Sequence, residues 1–277
     1  MGLLTFLSDF GLDSPYPAAM KVVAAGICDA RFVDVSHAVP PHAVRTGAYL
    51  LWSVAPACPA GTVHCAVVDP GVGTARAALA VASAGHIFVG PDNGLLLPAA
   101  KRLGTPDVYR LTNPAFRREP VSPTFHGRDV FAPAAAHLAA GVALDDLGTR
   151  TSGYVDLSLE RAEWDGSRVR GEVLWIDAFG NILTTIPGEA LARFPPGAPV
   201  TVDVRGGGVQ ATAGNTFGDV PPGAAVVLTG SDGLVEVALN RARAAGRLGA
   251  APGDVVTLRS AETGSQDDTE GGGAVIL

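Results

Sequence analysis

The sequence predicts an α/β protein, with an N-terminal domain built on a parallel sheet covered by helices and a smaller C-terminal all-β domain, a sandwich or barrel. Three observations carry this. Apolar strand-like runs alternate with helical stretches in the first part of the chain, whereas from residue 166 the pattern changes to short strand-like segments separated by Gly, Pro or Asp. With 277 residues, 47% hydrophobic and 17% charged, the chain is too long for one ordinary domain and apolar enough for two cores. The expected division is 1–150 for the α/β domain, 151–165 for a linker, 166–259 for the β domain and 260–277 for a polar, Gly-rich and mobile tail.

Residues 3–8 (LLTFLS) form an apolar run ending at Asp9-Phe10-Gly11, which predicts a buried strand with a carboxylate at its C-terminal end. Ser14-Pro15 is a helix start, and Ala18 to Ile27 continues it. Arg31 to Val35 alternates as a strand, and His42 to Val54 reads as a helix closed by Pro56 and Pro59. The strand Thr62 to Val68 runs into VVDPGVGTAR, residues 67–76. Strand-helix alternation makes the sheet parallel, and ligands then bind beyond the C-terminal strand ends, where Asp9 and Asp69 both lie. Residues 77–90 predict a strand pair, PDNG at 91–94 a turn, Leu95 to Arg102 a helix and Asp107 to Leu111 a strand.

In SPTFHGRDVFAPAAAHLAAG, residues 122–141, the first half is a loop carrying Thr124, Phe125, His126 and Arg128. The second half is a helix stopped by Gly141. Periodicity weakens from Gly141 to Arg161, and segments at 168–176, 182–186, 199–205, 208–213, 225–230, 233–239 and 254–258 then read as strands of a sandwich or barrel.

A net charge of -7, with Lys and Arg scattered, disfavours nucleic acid and suits a cationic small molecule. Cys28, Cys58 and Cys65 form no CxxC pair and read as buried small residues. MGLLTFLSDFG lacks a basic leader and meets Asp9 early, and no run of eighteen apolar residues occurs, so the expectation is a cytoplasmic protein without a membrane partner. Spacing among the histidines supports no metal site, and GVG followed by TAR lacks the third glycine and the helix of a dinucleotide loop.

Four stretches could carry chemistry. Asp69 and Arg76 flank a Pro-Gly turn that would bring them together, unless they are only a turn residue and a surface cation. Asp9 could accept both hydroxyls of a ribose or simply cap its loop. In WIDAFGNILT, Asp177 could hold an ammonium, Phe179 stack on a base and Asn181 pair with a purine edge, or the segment is a β-turn on Gly180-Asn181. In TGSDGLVEVALN, Ser231 and backbone amides could bind a carboxylate, or SDG is a hairpin turn.

SDFG at 8–11, VDVSH at 33–37, VVDPGVGTAR at 67–76, GPDNGLL at 90–96, TFHGRD at 124–129, AHLAAG at 136–141 and DAFGNILT at 177–184 occur in one order. In this the chain resembles the S-adenosylmethionine hydroxide adenosyltransferase family, relatives of the fluorinating and chlorinating enzymes. The resemblance implies hydrolysis of S-adenosyl-L-methionine to adenosine and L-methionine, without a cofactor, in a homotrimer with sites between subunits. It implies a catalytic set of Asp69, Arg76 and His126. Asp9 would hold the ribose, Phe125 and Phe179 would flank the nucleoside, Asn181 would read adenine, and Asp177 with Ser231 would hold the amino-acid end. The halogenating relatives differ at five matched positions, with Tyr at Asp69, Ser at Gly127, Arg at Asp232, and Trp at both His42 and Leu183.

Methionine leaves a sulfonium carbon as a neutral thioether, so the site must supply an oriented oxygen nucleophile rather than a general acid. Arg76 offers fixed positive charge and Asp69 can orient a water; a neutral His126 is the better proton acceptor of the set. The alternatives are halide transfer, which an anionic Asp69 disfavours, a nucleoside-binding module with negligible turnover, and a metal-dependent hydrolase.

Overall fold

The computed structural model describes residues 2–159, 162–166 and 168–260. The expected tail lies outside them apart from Ser260, which ends the last strand. The chain divides into two compact units, residues 1–161 and 162–277.

The first unit holds a seven-stranded sheet of β1 (Leu3–Ser8), β2 (Arg31–Ser36), β3 (Val63–Val67), β4 (Ala78–Ser83), β5 (His86–Pro91), β6 (Asp107–Leu111) and β7 (Gly148–Arg150). Its order is β2-β1-β3-β5-β4-β6-β7. The β2, β1, β3 and β5 strands run parallel, as the strand-helix alternation requires, whereas β4, β6 and β7 join antiparallel. The departure from an all-parallel sheet begins where no helix separates two strands: Ala84 and Gly85, both at positive φ, close β4 onto β5 as a two-residue hairpin. The stretch where periodicity weakens is not all connection, because a short helix at Leu144–Leu147 delivers β7 to the sheet edge.

Helices α1 (Tyr16–Ala25), α2 (Val44–Val54), α3 (Leu97–Leu103) and α4 (Ala132–Ala139) cover the sheet. Alternation along β1 separates Leu4 and Phe6 from Thr5 and Leu7. Leu4, Phe6, Val63, Cys65 and Val67 pack with Met20 and Ala24 of α1 and with the Ala-rich α4. On the other face α2 lies so close at Gly47 that a Cβ there would stand 2.9 Å from Val68 and 3.0 Å from Leu95. With both faces buried the central strands read as continuous apolar runs. A fully buried ring such as Phe6 contributes roughly 2–3 kcal/mol.

His64 of β3 departs from that apolar filling: it is fully buried, with Nδ1 2.9 Å from Thr5 Oγ1, Nε2 3.2 Å from His86 Nδ1 and its ring stacked on Phe88. Burial, aided by His86, pushes its pKa down to about 3.

The second unit contains β8 (Glu163–Trp164), β9 (Arg168–Ile176), β10 (Ile182–Pro187), β11 (Pro199–Val204), β12 (Gly207–Ala213), β13 (Ala225–Thr229), β14 (Leu234–Leu239) and β15 (Val255–Ser260). Their order is β10-β14-β13-β12-β11-β15-β9-β8, and pairing of β9 with β10 closes seven of them into a barrel with β8 attached outside. Closure satisfies the edges that an open sheet would expose. Val173, Ile182, Val202, Val237 and Leu258 are among the side chains filling the interior.

Candidate active site

Beyond β3 the chain leaves the sheet through Val68 and Asp69 and turns on Pro70-Gly71. Arg76 folds back onto the carboxylate: Nε donates to both Asp69 oxygens at 3.0 Å, and Nη2 donates to Oδ2 at 2.5 Å. The pair is well enclosed, with side chains 5% and 11% exposed, and the guanidinium lies 5.0 Å from the centre of the buried Phe131 ring. Gly73 explains the second glycine of GVG. At φ +75° it lies where a Cβ would stand 2.4 Å from the Pro123 carbonyl oxygen, so the Asp69–Arg76 loop can lie directly on the loop that carries His126.

The same Arg76 Nη2 donates to His126 Nδ1 at 2.8 Å. A guanidinium has no acceptor, so Nδ1 must be unprotonated and the ring proton sits on Nε2. Burial and the charge of Arg76 push the His126 pKa down, outweighing the opposing carboxylates of Asp69 and Asp129. This changes the role expected for His126. The basic nitrogen is already occupied, and the remaining one is a donor.

The His126 loop is held by Asp129. That carboxylate, 1% exposed, accepts Arg128 Nε and Nη2 at 2.7 and 2.8 Å, Arg118 Nη1 at 3.3 Å and the Ser122 N–H at 2.9 Å. Burial raises its pKa, but these bonds prevail and hold it below the usual carboxylate range. Asp129 therefore ties the loop together. One π-turn, Gly127–Phe131, links loop to α4. A Cβ at Gly127 would approach Met20 Sδ and the Phe10 ring to 3.2 Å, so a serine there would crowd this site.

Asp9, Phe10, Tyr16, His42, Asp69, Phe125 and His126 line one cavity of about 280 Å³. Phe10, Tyr16 and Phe125 meet edge to face, with centroids 5.8, 5.7 and 5.0 Å apart, and give it an aromatic wall. Asp9 Oδ2 accepts the His42 N–H at 2.9 Å. Asp9 thus caps its loop through one oxygen and leaves the other, Oδ1, without a hydrogen bond among the described residues. His42 itself sits at φ +66°, a costly conformation for a non-glycine residue.

In the second unit, Asp177 Oδ1 accepts the N–H groups of Phe179 and Asn181 at 2.9 and 2.8 Å, and Oδ2 accepts Asn181 Nδ2 at 3.0 Å. The carboxylate is thus also the brace of the Gly180-Asn181 turn. Phe179 is 76% exposed and, with Asn181, Phe217, Asn240, Arg241 and Arg243, lines a cleft of about 640 Å³. Ser231 lies exposed on the β13–β14 turn. Sequence reasoning passed over Glu236, a carboxylate on a strand of otherwise apolar residues (LVEVAL) and only 9% exposed. Burial and the charges of Asp177 and Asp232 raise its pKa, against a hydrogen bond from Asn181. The signal was legible: a lone acidic residue on a buried strand demands a reason.

Residues 4–148 match the SAM hydroxide adenosyltransferase N-terminal domain, and residues 171–257 match the C-terminal domain of the same family. The chain belongs to the SAM hydroxide adenosyltransferase family. It is 44% identical over 257 residues to a Salinispora tropica protein named (R)-S-adenosyl-L-methionine hydrolase, covering 91% of this chain and 95% of that one. A Nocardia brasiliensis fluorinase is 29% identical over 87% of this chain and 91% of its own. The crystal structure of an uncharacterized conserved protein from Thermotoga maritima aligns with TM-score 0.87 and 35% identity, covering 92% of this chain and 99% of that one.

Within this family member the structure brings Asp69, Arg76 and His126 into direct contact, with Asp9 and Phe125 in the adjoining cavity. Asp177 and Asn181 are hydrogen-bonded, and Phe179 shares a cleft with Asn181. Among the described residues no group of three or more His, Cys, Asp or Glu side chains is placed to hold a metal ion, and no helix is long and apolar enough to cross a membrane.

Proposed function

We propose that the protein hydrolyses S-adenosyl-L-methionine, in the (R)-sulfonium form named for its curated relatives, to adenosine and L-methionine. The observation that supports this most is the continuous Asp69–Arg76–His126 array opening onto a cavity with an aromatic wall and an available Asp9 oxygen. Phe125 contacts the nucleoside, Asp9 takes a ribose hydroxyl, and Asp69 accepts a hydrogen bond from the attacking water. The His126 Nε2–H donates to the oxygen of that water and orients its other lone pair.

Water oxygen forms a bond to C5′ as the C5′–S bond breaks and its electron pair returns to sulfur. The oxygen becomes strongly acidic only as the new bond forms, so a carboxylate is basic enough to receive the proton then and pass it to solvent. This removes the need for a histidine base or for prior hydroxide, and a neutral leaving thioether needs no Lewis acid. Arg76 keeps Asp69 fixed and compensates its charge. In the second unit, Phe179 and Asn181 contact the base, while Asp177 and Ser231 take the amino-acid end. The family resemblance further suggests a homotrimer, which sedimentation equilibrium tests.

The chemistry is tested by running the reaction in oxygen-18-labelled water. The label should appear in the adenosine 5′-hydroxyl and not in methionine, with activity retained in chelator. A 5′-halogenated nucleoside formed in chloride or fluoride would instead place the protein with the halogenating relatives. Tight adenosine binding with no turnover would make it a nucleoside-binding module.

A further inference from the structure

The loop Ser8–Gly11, which carries Asp9 and Phe10 into the cavity, is tied at both ends to one residue that none of the roles above uses. His37 follows β2 and is 4% exposed. Its ring Nδ1 shares a hydrogen bond of 2.7 Å with Ser8 Oγ at the start of the loop, and its carbonyl accepts the Gly11 N–H at 2.8 Å at the end. Ser8 Oγ, fully buried, also accepts the Phe10 N–H at 3.3 Å. Between the two ties sits Asp9.

The clamp is anchored behind as well. His37 Nε2 lies 3.1 Å from Asp34 Oδ1, an electrostatic contact rather than an aligned hydrogen bond, and Lys21 Nζ of α1 donates to Asp34 Oδ2 at 2.6 Å. Burial works against the Asp34 charge, but Lys21 and His37 prevail and keep its carboxyl below the usual range. A polar chain thus runs from α1 through β2 to the loop, and it ends on the backbone of the residues that follow Asp9. A neutral buried histidine has two ring nitrogens to satisfy: here Nδ1 meets Ser8 at the start of the loop and Nε2 faces the Asp34 carboxylate, while the backbone carbonyl of the same residue holds Gly11 at the other end.

We propose that His37 is a positioning residue that, through Ser8 and Gly11, sets the Asp9 carboxylate for a ribose hydroxyl. This rests on the nucleoside reading above. The distinguishing property is selectivity: a residue acting through Asp9 governs binding of the ribose hydroxyls and nothing else of the nucleoside, whereas a residue that only supports the fold affects all ligands alike.

Calorimetric binding of adenosine and of 2′,3′-dideoxyadenosine is measured on the full chain for the wild type, His37→Gln, Ser8→Ala, Asp9→Asn and the double variant His37→Gln/Asp9→Asn. The wild type should prefer adenosine. Both His37→Gln and Ser8→Ala should weaken adenosine by about tenfold, the scale of one misplaced hydrogen bond to a charged group, with dideoxyadenosine unchanged. The double variant should be no weaker than Asp9→Asn alone. Equal weakening of both nucleosides, full additivity with Asp9→Asn, or unchanged adenosine binding in both His37→Gln and Ser8→Ala overturns the proposal. A wild type that binds neither nucleoside overturns the nucleoside reading itself, and the role of His37 with it.

Discussion

Arg76 donates through the same nitrogen to Asp69 Oδ2 at 2.5 Å and to His126 Nδ1 at 2.8 Å, so one guanidinium fixes both a carboxylate and the tautomer of an imidazole. On the proposed mechanism His126 serves as donor, not base. Asparagine can imitate a donor-acceptor pair but has no basic nitrogen, so His126→Asn should retain at least about tenfold more kcat than His126→Ala. Equal, near-complete loss in both, measured by steady-state kinetics, would return the base to His126.

The same bond gives a pH dependence of definite sign. Protonating His126 at Nδ1 removes the acceptor that Arg76 uses, and burial with Arg76 depresses the His126 pKa, so the neutral ring persists below the ordinary histidine range. The profile of kcat/KM should be level at neutral pH and fall on the acid side only below about pH 6.5. The residual activity of His126→Asn should lack that acid limb, and a limb that persists in this variant would assign it to another group.

Charge alone does not reproduce the fork that Arg76 makes on Asp69. Arg76→Lys should lower kcat by roughly 10²–10³ while the affinity for adenosine stays within a few-fold. Near-wild-type kcat would show that a point charge suffices.

Gly73→Ala should separate loop contact from ordinary glycine strain. Gly61 and Gly73 both have positive φ, but a Cβ at Gly61 meets nothing within 4 Å, while one at Gly73 would stand 2.4 Å from the Pro123 carbonyl oxygen. Gly73→Ala should cost at least about 1 kcal/mol more than Gly61→Ala in urea unfolding. It should also lower kcat, because the loops that carry Asp69 and His126 are pushed apart.

Much of this was legible in the chain. Strand ends at Asp9 and Asp69 follow from apolar runs that terminate in a carboxylate, and the barrel strands follow from short alternating segments between Gly and Pro. The antiparallel β6 and β7 additions, and the closing β9–β10 pair, depend on long-range pairing that no local pattern encodes. The tautomer of His126 was invisible for a related reason: it is set by Arg76, fifty residues away in sequence. Glu236 and His37 were readable as buried polar residues, but their partners were not.

Glu236 should tune substrate affinity. Burial and the neighbouring Asp177 and Asp232 raise its pKa, so it loses its charge at a higher pH than an ordinary glutamate. The KM for the cationic substrate should therefore rise several-fold as pH falls through that raised pKa, with kcat little changed, and Glu236→Gln should have the high KM throughout. A KM in Glu236→Gln that still follows pH would assign the limb elsewhere.

The buried His64 predicts acid sensitivity of the fold. Its folded pKa of about 3 lies below the ordinary value, so the unfolded chain binds the proton first and stability present above about pH 6.5 is lost as pH falls toward 3. Between pH 7 and pH 5 this amounts to about 2 kcal/mol. His64→Gln should flatten that part of the urea-unfolding profile, whatever it does to stability at neutral pH.

The central claim is tested most directly by chromatographic measurement of adenosine released from the separated (R)- and (S)-sulfonium epimers of S-adenosyl-L-methionine. The account predicts adenosine and methionine in equal amounts, faster from the (R) epimer, with Asp69→Ala reducing the rate to near the uncatalysed level. Absence of adenosine from both epimers, or a rate unchanged in Asp69→Ala, would contradict it.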